Sequence, residues 1–246
     1  MTNAELASRA ETRRTDELQR ALRAIVAEHA PAALASSLGA EDMVLTDVIL
    51  RTGIPIEIFT LDTGRLHPET LGLLQQVHSH YGYVIRVYQP DSATVERYVS
   101  EVGLDAIYRS VELRLRCCEI RKVEPLGRAL AGKSAWITGL RRKQSVTRAN
   151  LPLKQFDPGY GLWKFNPLAE WSEHEVWDYL RGHGVPYNPL HDRGFRSIGC
   201  APCTRPTAAG EDLRAGRWWW EDAQTKECGL HLRSADEAQT ERSHGA

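Results

Sequence analysis

Ala32-Ala33-Leu34-Ala35-Ser36-Ser37-Leu38-Gly39-Ala40-Glu41-Asp42 is the stretch that decides the fold. Its first five residues are a short apolar run behind Pro31, and they read as a buried strand. Ser37-Leu38-Gly39-Ala40 then turns into a helix spanning Glu41 to Arg51. The same alternation continues on both sides. Upstream, Leu18, Leu22, Ile25 and Val26 recur at helical spacing between Thr15 and His29, and Pro31 ends that helix. Downstream, Pro55 to Leu61 reads as a second strand and His67 to Tyr81 as a helix with Leu71, Leu74 and His78 on one face. Tyr83 to Tyr88 reads as a third strand, Ser92 to Leu130 as helical segments, and Ala135 to Thr138 as a fourth strand. Strands alternating with helices predict an α/β fold, a mainly parallel sheet with helices on both faces. Such sheets bind ligands beyond the carboxyl ends of their strands.

After Gly139 the pattern loosens. Leu140 to Phe165 is rich in Arg, Lys, Pro and Gly and reads as loops with short strands. Ser172 with Glu175 forms a capping box for a further helix, Trp171 with Val176 its hydrophobic staple, and the helix ends near Gly182. Gly184 to Gly216 is expected to be mostly irregular. The chain has 246 residues, 42% of them hydrophobic, enough for one large domain or one domain with a small appendage. A formal net charge of −1 supplies no global field toward nucleic acid or membrane. No apolar run approaches the ~18 residues of a membrane span, and the N-terminus has no signal-peptide stretch. The expectation is a cytoplasmic protein, with no nucleic-acid or membrane partner.

Three loops that follow strands are polar in ways a plain turn does not require. Ser36 to Asp42 can present hydroxyls and backbone N–H groups to an anion at a helix N-terminus. It is not a Walker A loop, because no Gly-Lys-Ser/Thr follows. Leu61-Asp62-Thr63-Gly64-Arg65-Leu66-His67-Pro68-Glu69 offers donors and acceptors together. Gly139-Leu140-Arg141-Arg142-Lys143-Gln144-Ser145-Val146-Thr147-Arg148 carries four cations in its last eight residues. From Arg109 to Arg148 there are eleven Lys or Arg against three acidic residues, in a chain close to neutral. Charge runs are usually solvated faces. This one sits where an α/β sheet places its ligand, which points to a polyanionic small molecule such as a nucleotide.

The five cysteines divide four plus one. Cys117 and Cys118 are adjacent, and Cys200-Ala201-Pro202-Cys203 is a CxxC. In a reducing compartment clustered thiols indicate metal or catalysis more than disulfides. Four thiolates suit either an iron–sulfur cluster or one tetrahedral zinc. Adjacent cysteines strain a single-ion site, whereas in a cluster each can take a different iron. Arg114, Arg116, Arg121 and Lys122 would offset the negative charge of such a centre. Cys228, in Lys226-Glu227-Cys228-Gly229-Leu230-His231, stands apart; Lys226 and His231 can lower its pKa and make it a nucleophile. Arg214 and Arg217, three apart and beside Trp218, Trp219 and Trp220, can clamp a phosphate or sulfate.

Read together, SSLGAED, LDTGRLHPET, CCEIRKVEPL, GLRRKQSVTR, GCAPCTRP and KECGLH resemble the assimilatory sulfonucleotide reductases, most closely the iron–sulfur type that reduces adenosine 5′-phosphosulfate. The resemblance runs from about Leu34 to His231. It implies an adenine-nucleotide α-hydrolase-like (PP-loop-like) fold, a 4Fe-4S cluster, and thioredoxin or glutaredoxin as electron donor. By motif, Cys117, Cys118, Cys200 and Cys203 would ligate the cluster and Cys228 would be the catalytic nucleophile. Lys122 would lie between cluster and substrate; Arg148, Arg214 and Arg217 would hold the phosphosulfate; Ser37, Thr63, Gly139 and Arg141 would line the nucleotide site. The expected organisation is a flexible N-terminus over 1–14, the nucleotide- and cluster-binding domain over 15–216, a mobile catalytic segment over 217–234 and a disordered tail over 235–246. A homo-oligomer is expected.

Three other readings compete. A reductase of the 3′-phosphorylated nucleotide shares most motifs but generally lacks the four cluster cysteines, and a cluster enzyme acting on both nucleotides would share them all. An ATP-dependent PP-loop enzyme would carry a loop close to SGGxDS, and SSLGAED has one glycine. A zinc-stapled module could turn the basic stretch toward nucleic acid.

Overall fold

The computed structural model describes residues 3–222, with side chains from residue 12 onward. Cys228 and the segment around it lie outside the described residues. Helix α1 (Asn3–His29) leads into β1 (Ala32–Ala35), α2 (Ala40–Thr52), β2 (Ile56–Leu61), α3 (Pro68–Tyr81) and β3 (Arg86–Tyr88). Helices α4 (Ser92–Val102), α5 (Val111–Cys118) and α6 (Glu124–Leu130) follow, with a π-helical turn at Glu119–Val123 joining the last two. Then come β4 (Ala135–Ile137), β5 (Lys154–Asp157), β6 (Leu162–Phe165) and α7 (Glu173–Gly182).

The six strands form one sheet in the order β3-β2-β1-β4-β6-β5. All neighbours are parallel except β5, which pairs antiparallel with β6 as an edge hairpin. The alternation read from sequence is therefore a mainly parallel sheet. Its chain order reverses direction between β1 and β4, the place where an open α/β sheet leaves a crevice at its carboxyl edge.

Alternate strand residues serve opposite faces. Ala32, Leu34, Ile56, Ile58, Ala135 and Ile137 join one core with α1, α2, α3 and α7. Ala33, Phe59 and Trp136 join a second core with Leu126, Ala129 and Leu130 of α6. This is the period of two expected of strands buried on both sides. A third, smaller cluster lies off the sheet and gathers Tyr98, Ile107 and Trp218 around Cys117, Cys200 and Cys203.

Three boundaries differ from the periodicity reading. Helix α1 starts at Asn3 rather than near Thr15. The residues before Leu18 carry little apolar signal, so periodicity misses the first turns. On α3 the buried face is Thr70, Leu73 and Val77, while Leu71 and His78 are exposed. The alternative apolar pair, Leu71 and Leu74, lies only about 100° round the helix, and packing chose the other side. Strand β3 begins at Arg86, not Tyr83, because the Tyr83 ring turns in and its hydroxyl accepts the Ile58 N–H at 3.2 Å. The capping box at Ser172 and Glu175 is present in both directions, at 3.1 and 2.7 Å.

Candidate active site

A cleft of about 200 Å³ opens at the carboxyl edge of the sheet. Its floor comes from the strand ends: Ala35 and Ser36 after β1, Thr60 and Leu61 on β2, Thr138 and Gly139 after β4. The predicted loop from Ser36 to Asp42 forms one wall. Gly39 caps α2 without any side-chain hydrogen bond, so the first N–H groups of that helix keep the capacity to meet an anion. Asp42 turns back from the first turn of α2 and accepts from the Ser37 N–H (2.7 Å) and the Ser37 hydroxyl (2.6 Å). Gly139 is required where it stands: a Cβ there would lie 2.3 Å from Asp42 Oδ1. Desolvation pushes the Asp42 carboxyl up to about 6, against the Ser37 hydrogen bonds that favour its charge.

The opposite wall is cationic. Lys122, Arg148, Arg196, Arg214 and Arg217 all line the cleft. Arg148 is buried and its Nη1 donates to Gln144 Oε1 at 2.6 Å. Arg217 is held from three sides. Its backbone bridges to Thr204, its Nη1 donates to the Ile198 carbonyl at 3.1 Å, and its guanidinium lies 4.6 Å over the Trp218 ring. Its buried Nε has no hydrogen-bond partner among the described residues, which leaves a donor for a ligand.

Beside the cleft lies a second, smaller cavity lined by Cys117, Cys118, Cys200 and Cys203. Arg114, Cys117, Cys118, Arg121 and Lys122 line it too, at spacings i, i+3, i+4, i+7 and i+8, so one face of α5 and its π turn supplies five groups. Such widened turns recur at functional sites. The CxxC turn is brought in by the segment after β2: Ala201 N–H donates to the Arg65 carbonyl at 2.7 Å, and Thr63 Oγ1 lies 3.2 Å from Cys200 Sγ. Arg121 Nη1 donates to the Thr63 carbonyl at 2.7 Å.

All four cysteines are buried. Burial, with help from the Cys200 sulfur, pushes the Cys203 thiol up to about 11, and burial also raises Cys117. Thiolates in such a place need a metal or cations to stabilise them. Arg65, Arg114, Arg121 and Lys122 supply cations, and the buried Trp218 indole N–H has no acceptor among the described residues. Four thiols, a cationic rim and an orphaned donor fit a sulfur-rich anionic centre. What fits is the cavity's chemistry and not a ready ligand set: the four thiols line one space, yet among the described residues no three His, Cys, Asp or Glu side chains already form a site for a single metal ion.

Of the predicted site residues, Ser37, Thr63, Lys122, Gly139, Arg148, Arg214 and Arg217 come together in the cleft. Thr63 and Lys122 stand at its junction with the cysteine cavity: Thr63 touches Cys200, and Lys122 lines both spaces. Arg141 is the exception. It is fully buried behind the cleft wall, with Nη2 2.7 Å from Glu41 Oε1 and Nη1 donating to the Trp171 carbonyl at 3.3 Å. Its charge is met inside the protein, so it braces α2 instead of lining the cleft.

Sequence reading missed several lining groups. Asp42 belongs to the singled-out loop, but nothing local shows that it folds back on Ser37. His191 and Arg196 come from the irregular stretch before the CxxC, where no periodicity assigns a face. Burial holds the His191 imidazole below its ordinary pKa, and its buried Nε2 has no partner among the described residues.

The model of the phosphoadenosine phosphosulfate reductase domain matches residues 31–206, most of the chain. The chain belongs to this family. It is 63% identical over 199 residues to the adenosine 5′-phosphosulfate reductase of Allochromatium vinosum, covering 81% of this chain and 78% of that one. Among solved structures it is similar to phosphoadenylyl-sulfate (PAPS) reductase from Candida auris in its phosphate complex: TM-score 0.66, 29% identity, 76% of this chain and 90% of that one. FMN adenylyltransferase of Candida glabrata, solved with FMN and an ATP analogue, shares the fold at TM-score 0.57 and 15% identity, over 95% of this chain and 82% of that one. Among the described residues no helix is long and apolar enough to cross a membrane.

Proposed function

We propose that this chain reduces adenosine 5′-phosphosulfate to sulfite and AMP in assimilatory sulfate reduction, in the cytoplasm, with thioredoxin as electron donor and Cys228 as nucleophile. The observation that carries the reading is the junction of the two spaces: Lys122 lines both the strand-end cleft and the four-cysteine cavity, with Arg214 and Arg217 also on the cleft. Similarity to adenosine 5′-phosphosulfate reductases supports the choice of nucleotide.

Cys117, Cys118, Cys200 and Cys203 would hold a 4Fe-4S cluster. When bound, the cluster supplies a fixed charge distribution beside the reacting sulfur. The chain's own residues do the rest. The strand-end floor and Ser37–Asp42 wall receive the nucleoside. Lys122, Arg148, Arg214 and Arg217 meet the phosphosulfate. Both the Cys228 thiolate and the substrate are anionic, so cations in a water-poor cleft are needed to bring them together. Cys228 Sγ attacks the sulfate sulfur; an S–S bond forms, the bridging S–O bond breaks, and its electron pair leaves with AMP. A thioredoxin thiolate then attacks Cys228 Sγ, sulfite leaves with the electron pair of the broken bond, and the second thioredoxin thiol closes a disulfide and frees Cys228.

Cys228 follows Asp222 by six residues. That length of chain spans at most about 20 Å. Glu221 is fastened to Arg114, itself on the cysteine cavity, so the last described residues stand beside that cavity.

Anaerobic protein mixed with the nucleotide and no reductant should carry one sulfonate on Cys228, seen by peptide mass spectrometry. Cys228→Ser should retain nucleotide binding and visible absorption yet form none. A sulfonate on another cysteine would sink the assignment. Iron and zinc analysis of the same sample tests the cluster, and parallel assays with the 3′-phosphorylated nucleotide test the substrate.

A further inference from the structure

The cysteine turn carries a group of aromatic rings on its surface. The Tyr108 hydroxyl donates to the carbonyl of Pro202, inside the CxxC, at 2.8 Å. Trp220 packs edge-on against the Tyr108 ring at 4.5 Å, Trp219 lies 6.4 Å from it, and the two indoles are 4.7 Å apart. Tyr108 is 44% exposed, Trp219 40%, and Leu104, in the same connection as Tyr108, 50%. Packing does not explain this exposure. Trp218 supplies an anchor: it is fully buried, its backbone N–H donates to the Cys203 carbonyl at 3.1 Å, and the Arg114 guanidinium lies 4.6 Å over its ring.

The patch is also rigid up to the point where the chain leaves it. Glu221 makes a buried two-pronged ion pair with Arg114, at 2.6 and 2.9 Å. Any macromolecule that acts on Cys228 must meet it within about 20 Å of Asp222, the reach of six residues. Among the described residues the other exposed large apolar side chains lie elsewhere: Leu71 on α3, Val84 and Val87 by β3, Leu153 and Phe156 by β5, Val146 in the basic loop. Exposed Trp and Tyr held in fixed positions are the usual anchors of protein interfaces.

We propose that Leu104, Tyr108 and Trp219 form the landing surface for the protein dithiol that releases sulfite from S-sulfonated Cys228. The inference rests on the function proposed above, and names where its protein partner sits. A small dithiol needs no landing surface; a protein one does. The patch therefore governs the second half-reaction only, and only with a protein reductant.

The test uses full-length, cluster-loaded protein with Trp219→Ser and Leu104→Ser, singly and together. Tyr108 is kept because its hydroxyl holds the CxxC turn, and Leu104→Ser disturbs no ring. Three quantities are measured: S-sulfonation of Cys228 without reductant, sulfite release with thioredoxin, and sulfite release with dithiothreitol. The expected result is unchanged S-sulfonation and unchanged dithiothreitol rate, with kcat/KM for thioredoxin down by about tenfold or more in the double variant. An unchanged thioredoxin rate overturns the proposal. So does an equal loss with both reductants, which would mean the patch seats the chain's own C-terminal segment. A change in oligomeric state on substitution also overturns it, by assigning the patch to a second copy. Failure of the unsubstituted protein to form any S-sulfonate would instead refute the function on which the proposal rests.

Discussion

At Gly199 an added methyl group would lie 2.3 Å from Arg217 Nη2 and 2.5 Å from its Cζ. The missing side chain is what lets the guanidinium lie flat beside the backbone and open into the cleft. Gly199→Ala should therefore displace Arg217 without unfolding the chain. We expect nucleotide affinity to fall by about tenfold or more, the worth of one charged contact, with an unchanged far-UV spectrum; calorimetric titration checks it. Asp42 gives a pH signature. Its folded pKa of about 6 lies above the ordinary carboxylate value, because burial disfavours the charge. The native state thus binds more protons than the unfolded chain between about pH 4 and 6, and stability is lost as pH rises through that window. The loss is on the order of 3 kcal/mol if the whole shift is realised. Asp42→Asn should flatten this slope in denaturant titrations from about pH 4 to 7. An undiminished slope would remove Asp42 as its source.

The elements that bear the site are held by local devices whose strength can be tested separately from the chemistry. Helix α7 packs on α2, the helix that walls the cleft, and both contribute to the same core. Its N-terminus is closed by the Ser172–Glu175 box, and Glu175 also accepts from Arg14 Nε of α1 at 3.0 Å. Ser172→Ala should cost about 1 kcal/mol of stability and leave kcat unchanged, as read by thermal melts beside activity. Helix α5 and the π turn act differently. They aim Cys117, Cys118, Arg121 and Lys122 at one cavity, so on the proposed cluster assignment substitution there should move iron content and activity together.

Across the whole molecule, buried ion pairs fasten segments far apart in the chain, here the last described residues to α5 beside the cysteine cavity. One is the Arg114–Glu221 pair, whose side chains are 1% and 4% exposed. Glu221→Ala removes the carboxylate from a buried guanidinium, and the expected cost is about 3–5 kcal/mol, read as a fall in melting temperature. The cysteine cavity is a second coupling. Burial raises the Cys203 and Cys117 thiols, and a metal centre held there as proposed would have to displace their protons, linking its binding to the folding of this region. Chelation should lower the melting temperature and bleach visible absorption in one transition.

The alternation of strands and helices was legible because apolar periodicity is a local property. The donor chemistry was legible for the same reason: adjacent cysteines, a CxxC and a basic loop declare themselves by residue type and spacing. Assignments of face were less secure. Leu71 and Leu74 on α3 looked like the inner face, yet Leu73 and Val77 are buried, because which stripe packs depends on the neighbour. Arg141 shows the limit most clearly. It stands in the basic loop beside Arg148, but only folding brings Glu41 against it and takes its charge out of the cleft. His191 left no signal at all, coming from a stretch without periodicity. The sequence by itself determined the parallel α/β sheet and the identity of the four thiols, since both follow from short-range pattern. Only the tertiary structure decided that Cys117 and Cys118 share a cavity with Cys200 and Cys203, and that Lys122 stands between it and the cleft. Those relations join residues far apart in the chain, and packing of the whole core sets the distances between them.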